Sequence, residues 1–314
     1  MNHQLFRTLL SVLLHLALAV GLAASPKVGV VLKAKSSFWY AVERGALAAG
    51  TKLGAEVTVL APSSETDTAG QIQLLERYVE QKPDAIIIAV NDREALVEPL
   101  ARVSAAGVKV VLVDTLLAGE PKYVFVGPNQ RDAGRAAGEL LALLIGDADP
   151  VFFVKLSQSS GAAAERERGA FEKLKELRPH FVLRGSTYIE TAAGISTESC
   201  TQILDPNPDL KGILASATRA TLPMIKAVQE KGRADTTKLV GFGFNLCPEA
   251  AAAIDSGALD GWIAQLPADM GFRGVQAALA LVKGEPVPAA IPTDILVVTK
   301  ANLHEPKVEA LLEK

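Results

Sequence analysis

A series of polar and charged residues follows directly on short apolar runs. It comprises Lys33 to Trp39, Asn91-Asp92, Asp114-Thr115, Gln158 to Arg166, Tyr188 to Glu190, Ala217 to Arg219, Gly243 to Asn245, and Gln265. In an open α/β sheet a ligand binds beyond the carboxyl ends of the strands, so a cleft would draw its side chains from these positions. The set offers carboxylates, cations, amides and hydroxyls, which together can hold a small polar molecule. An ionised carboxylate in a dry cleft accepts strong charge-assisted hydrogen bonds. A guanidinium can grip two oxygens at once, and an amide both donates and accepts.

The means for bond-breaking chemistry are scarce. No G-x-S-x-G elbow or G-x4-G-K-[ST] phosphate loop is present. Beyond the first 24 residues the only histidines are His180 and His304, far apart in sequence, which argues against a zinc hydrolase or a histidine-dependent triad. Gly241-Phe242-Gly243 follows an apolar run, but Leu246 stands where the dinucleotide fingerprint needs glycine. No catalytic residue, cofactor or metal is expected.

The elements that must position these residues alternate along the chain. Apolar runs at 28–32, 57–60, 85–90 and 108–113 read as strands, with amphipathic helices at 37–53, 69–81 and 94–106 between them. Runs such as AIIIAV and VKVVLV are apolar throughout, as parallel strands covered on both faces should be. From about residue 128 the rhythm resumes with strands at 151–156, 181–188, 212–215, 239–242, 261–265 and 294–298. The intervening helices are at 133–145, 163–177, 194–204, 222–231, 248–256 and 271–282. The expected fold is α/β: two doubly wound parallel-sheet lobes of similar size. Ser36 or Ser37 is placed to cap the first helix, and Asp67 or Thr68 the second.

Composition narrows the classes further. Of 314 residues, 49% are hydrophobic, which excludes disorder. The net charge of −3 is dispersed rather than blocked, so no nucleic-acid partner is expected. Two cysteines, Cys200 and Cys247, do not make a disulfide scaffold and read as buried thiols. Residues 1–24 read as a cleaved signal peptide: Arg7 precedes an apolar run over 9–22 that ends in Ala23-Ala24-Ser25-Pro26. An exported, periplasmic protein is expected.

The segments VGVVLKAKSSFWYAVERGA, AGQIQLLERYVEQKPDAIII, VKVVLVDT, ERERGAF, LVGFGF and WIAQLPADMGFRGV carry a resemblance. The chain resembles the type I periplasmic solute-binding proteins of the ribose-binding and autoinducer-2-binding branch. That resemblance implies lobes joined by a three-strand hinge: 26–127 with 267–292, and 128–266 with 293–314. It implies a monomer that closes on a small polar ligand (a sugar, polyol or sugar derivative) and delivers it to a membrane ABC permease. The alternatives are a receptor reporting to a sensor kinase or chemoreceptor, and a secreted α/β enzyme.

The resemblance also assigns roles. Phe38 and Trp39 match the aromatic pair that sandwiches the sugar ring, although Trp39 also joins Val42, Ala46, Ala49 and Leu53 in a core stripe. Asp114 matches the aspartate that accepts from ligand hydroxyls, Arg166 a ligand-binding arginine, and Gln265 a binding glutamine. Three positions depart: Thr115, Ala217 and Gly243 stand where the ribose pattern has Arg, Asn and Asp. Ser36 stands where it has Asn, and Lys33 lies near a lysine of the autoinducer-2 branch. Tyr188, Glu190, Arg219 and Asn245 complete the candidate ligand-binding set.

Overall fold

The computed structural model describes residues 24–119, 123–155, 161–189 and 197–312. Glu190, Gln158 and all but Ala24 of the expected signal peptide lie outside the described residues. The elements run β1 (Lys27–Val31), α1 (Ser37–Leu53), β2 (Glu56–Leu60), α2 (Thr68–Glu80), β3 (Ala85–Ile88), α3 (Val97–Ala105), β4 (Lys109–Val113) and β5 (Val124–Gly127). There follow α4 (Gln130–Leu144), β6 (Pro150–Lys155), α5 (Gly161–Leu177), β7 (Val182–Tyr188), α6 (Thr197–Leu204), β8 (Gly212–Ala215), α7 (Thr218–Glu230) and β9 (Lys238–Phe244). The series ends with α8 (Pro248–Ser256), β10 (Gly261–Gln265), α9 (Pro267–Val282), β11 (Ala290–Pro292), β12 (Ile295–Val298) and α10 (Pro306–Glu309).

Two six-stranded sheets result, in the orders β11-β5-β4-β3-β1-β2 and β12-β10-β9-β8-β6-β7. Every strand pair is parallel except β10 with β12. The central strands are buried on both faces because helices cover both. In the first sheet α1 and α9 cover one face and α2 and α3 the other. The chain passes between the sheets at Pro128-Asn129, at Leu266 and at Thr293-Asp294.

Strands β5 and β11 do not stand out in the sequence. They are four and three residues long, and pairing with β4 and with each other makes them strands. Helix α9 starts at Pro267 rather than 271, and α4 at Gln130 rather than 133. Asp67 caps α2, accepting from the Gly70 N–H at 2.9 Å. Ser36 occupies the N-cap of α1 in extended conformation, but its side chain makes no capping bond. Cys200 is buried, which pushes its thiol up to about 11, whereas Cys247 is half-buried. No disulfide joins them among the described residues.

The two sheets share more than their order. Glu43-Arg44-Gly45-Ala46 in α1 recurs as Glu167-Arg168-Gly169-Ala170 in α5, at the same distance from each helix start. In both places the glycine admits a second helix at backbone contact. A Cβ on Gly45 would lie 1.8 Å from the Ala268 carbonyl oxygen of α9, and one on Gly169 2.0 Å from that of Arg131 in α4. Reciprocally, Gly271 meets the Val42 carbonyl and Gly134 that of Arg166. The repeat therefore locks α1 to α9 and α5 to α4, and α4 and α9 are the helices that follow two of the crossings.

Candidate functional site

A cleft of about 1220 Å³ lies between the carboxyl ends of the two sheets. Ten of the fourteen candidate residues line it: Lys33, Phe38, Trp39, Asp114, Thr115, Arg166, Ala217, Arg219, Gly243 and Gln265. Ser36, Tyr188 and Asn245 do not. Ser36 sits at the start of α1. Tyr188 ends the edge strand β7, with the Lys155 ammonium 5.4 Å from its ring centroid. Asn245 is almost buried, and its main chain receives the Trp262 indole N–H. Glu190 is outside the described residues.

The first sheet supplies a compact charged cluster. Lys33 Nζ donates to Asp114 Oδ2 at 2.9 Å and to Thr115 Oγ1 at 2.7 Å, and the Thr115 hydroxyl donates to Asp114 Oδ2 at 2.7 Å. Lys33 thus brings from β1 a cation to the aspartate beside Thr115. Asp114 adopts a left-handed backbone, φ 63°, a region that non-glycine residues occupy rarely and often at functional sites. The turn aims its carboxylate into the cleft rather than along β4. Asn245, φ 46°, makes the same turn after β9 in the second lobe.

Burial pushes the Asp114 carboxyl up, but the Lys33 charge, the Thr115 hydroxyl and the Arg166 charge together hold it below the ordinary aspartate value. Its contribution to stability is therefore complete above the ordinary aspartate range and is lost as pH falls through the lowered folded-state value. Glu167 has the opposite sign. Burial raises it, against Ser216, Lys155 and Arg166, so it costs stability as pH rises through the ordinary glutamate range. Urea unfolding as a function of pH separates the two. The stability gap between wild type and Asp114→Asn is expected to shrink on acidification, while the Glu167 dependence persists in both.

A residue from outside the candidate set positions this cluster. Gln71 of α2 is fully buried and donates to the carbonyls of Leu32, at 3.1 Å, and Ala89, at 2.8 Å. Its amide oxygen accepts the Asn91 N–H at 2.9 Å. It ties the ends of β1 and β3 together just where Lys33 and Asn91 leave them. Gln71→Leu would strand two buried carbonyls and one N–H, so a loss of about 3 kcal/mol is expected in urea unfolding.

The second lobe contributes Arg166. Its Nε donates to Gln130 Oε1 at 2.6 Å, its Nη1 to the Ser216 carbonyl at 3.0 Å, and its guanidinium lies 5.4 Å from the Phe242 ring centroid. Gln265 Nε2 shares the Gln130 oxygen at 3.3 Å. Burial lowers the Arg166 pKa to about 10, with Asp114 and Glu167 opposing, so it stays charged at neutral pH. Its Nη2 group makes no hydrogen bond to the described residues.

Of the aromatic pair, Trp39 is a core residue, 2% exposed, whose indole N–H donates to Glu65 Oε1 at 2.8 Å. Phe38 is the half-buried ring of the pair. It meets Phe244 of the second lobe edge-on, with centroids 5.2 Å apart. Phe244 falls within the strand-end segment 243–245 but is not among the candidate residues, because it looks like the end of an apolar strand. Gln130 escaped the sequence reading because it precedes the expected start of its helix.

The two sheets are thus joined by three crossings and face each other across a polar cleft. A model of the periplasmic binding protein domain matches residues 28–286. The chain belongs to that family. Among relatives of this periplasmic binding protein, a D-ribose/D-allose-binding protein of Pseudomonas aeruginosa is 29% identical over 273 residues, 83% of each chain. A carbohydrate transporter solute-binding protein of Agrobacterium radiobacter, solved with D-arabinose, is 30% identical with a TM-score of 0.80, covering 93% of this chain and 100% of its own. An ABC transporter solute-binding protein of Agrobacterium vitis, solved with D-fucose, is 28% identical with a TM-score of 0.79, covering 91% and 100%.

Proposed function

We propose that this binding protein captures a small sugar or sugar-like ligand in the cleft and presents it to an ABC permease. The observation that carries this is the Asp114 carboxylate, held by Lys33 and Thr115 and facing Arg166 in a cleft whose other walls include Phe38 and Phe244. Charged acceptor and donor groups beside aromatic surface are what a ring with hydroxyls on its edge and C–H groups on its faces requires. The sugars bound by the three relatives support the same reading.

On this reading Lys33, Asp114, Thr115, Arg166 and Gln265 bind ligand hydroxyls, and Phe38 covers a ring face. The first lobe comprises 26–127 and 267–292, the second 128–266 and 293–314, and the crossings form the hinge. The protein works as a monomer in the periplasm after removal of residues 1–24, and it releases its ligand unchanged. Among the described residues no helix is long and apolar enough to cross a membrane.

A thermal-shift screen of the chain from Ser25 tests the proposal, with aldoses, ketoses, polyols and sugar acids as probes. A ligand at about 100 times its Kd stabilises the fold by about 2.7 kcal/mol. At least one sugar is expected to do so, and stabilisation by none would refute the reading.

A further inference from the structure

Arg166 of α5 and Gln265 of β10 meet on one atom, the side-chain oxygen of Gln130. The Arg166 Nε–H donates to it at 2.6 Å and the Gln265 Nε2 at 3.3 Å. A guanidinium offers donors only, so the end of the Gln130 amide that faces it is the oxygen. That fixes Gln265 in turn. The end of its amide that meets this oxygen is the NH2 group, and its own oxygen stands at the opposite end. The Gln130 nitrogen is buried and hydrogen-bonds to none of the described residues, so the oxygen is the engaged end of this side chain. Gln130 is itself firmly placed. It opens α4 directly after the Pro128-Asn129 crossing, and Asn129 caps that helix, its Oδ1 accepting the N–H groups of Arg131 at 3.1 Å and Asp132 at 3.2 Å. The glycine contacts at Gly134 and Gly169 lock α4 to α5, which carries Arg166. Gln265 ends β10 directly before the crossing at Leu266. One oxygen thus ties together three segments of the second lobe, two of them next to crossings.

We infer that Gln130 is a positioning residue for ligand binding. Its oxygen fixes the plane of the Arg166 guanidinium and the orientation of the Gln265 amide, so a ligand meets a donor at Arg166 and an acceptor at Gln265 in one set arrangement. Without that oxygen the Gln265 amide can turn over and exchange its donor and acceptor ends, and Arg166 loses the bond that orients its Nε. Binding must then order both side chains, and affinity falls by the cost of that ordering. The inference rests on the sugar-binding reading and adds to it a residue that acts through its neighbours.

Calorimetric titration with the best-stabilising sugar of the screen tests it. Gln130→Met, which keeps the length of the side chain and removes the oxygen, is expected to weaken binding about tenfold. Gln130→Glu, which keeps the oxygen, is expected to bind within about threefold of wild type. In an Arg166→Lys background, which lacks the Nε–H, Gln130→Met is expected to cost no more than about threefold, because residues that act as a unit are not additive. A general loosening of the lobe would instead cost the same factor in both backgrounds and would not be rescued by glutamate. Undiminished affinity in Gln130→Met, equal factors in the two backgrounds, or a loss in Gln130→Glu as large as in Gln130→Met would overturn the inference and leave sugar binding standing. Nitrogen-edited NMR of the wild-type protein gives a reading that needs no variant of Gln130 to fold. The Arg166 Nε–H, identified by its loss in Arg166→Lys, is expected to exchange with water about a hundredfold more slowly than that of a free arginine, and exchange at the free rate would overturn the inference. Saturable binding of no sugar by wild-type protein would overturn the sugar-binding reading and this inference with it.

Discussion

Asp114→Ala is expected to weaken sugar binding at least a hundredfold, about 3 kcal/mol, with little change in the fold of either lobe. Two effects add. The ligand loses a charged acceptor fixed in the cleft by the left-handed turn after β4. In addition, the Lys33 ammonium, only 15% exposed, loses the carboxylate that compensates it. Asp114→Asn keeps the shape and one acceptor oxygen but removes the charge, so an intermediate loss is expected. Fluorescence or calorimetric titration of the two variants against wild type reads the series directly. Equal affinity in all three would remove Asp114 from the site.

Gly134→Ala should have the largest effect on stability. Its Cβ would lie 2.1 Å from the Arg166 carbonyl oxygen, where ordinary contact begins above 3.4 Å, so α4 and α5 must separate by more than 1 Å. Backbone cannot give way as a side chain does. Overpacking of this kind costs about 3 kcal/mol, or about 6–12 °C in Tm for lobes of this size. Ligand affinity is expected to fall with it, because Gln130 rides on α4 and Arg166 on α5, and their hydrogen bond spans the interface that opens. Gly169→Ala, with its Cβ 2.0 Å from the Arg131 carbonyl, should behave alike. Differential scanning calorimetry with and without a bound sugar measures both consequences. An unchanged Tm in both variants would contradict this account of the helix pair.

These two predictions draw on different depths of legibility. Asp114 could be read from the sequence because the carboxyl end of an apolar parallel strand is where an α/β sheet meets its ligand. The same rule found Lys33, Thr115 and Gln265. It also reached Tyr188 and Asn245, which lie at strand ends yet do not line the cleft: β7 is an edge strand, and Asn245 is almost fully buried. The rule says where the chain leaves a sheet, not which way the next side chain points.

The packing devices were harder to see. Gln71 lies among polar residues of an amphipathic helix, and only the folded structure shows it buried against the ends of β1 and β3. The ERGA repeat is four residues long, and its meaning depends on which helices meet at its glycines. Strands β5 and β11 owe their conformation to neighbours distant in sequence, so local pattern carries little trace of them. What was legible was local and periodic, and what was hidden depended on contacts between segments far apart in the chain.

Titration calorimetry of wild-type protein and the Asp114→Ala variant with the best-stabilising sugar of the screen tests the central claim most directly. The account predicts one site per chain, a negative heat-capacity change from closure over the ligand, and loss of at least a hundredfold in affinity in the variant. Binding of undiminished affinity in Asp114→Ala, or the absence of saturable binding in wild type, would contradict it.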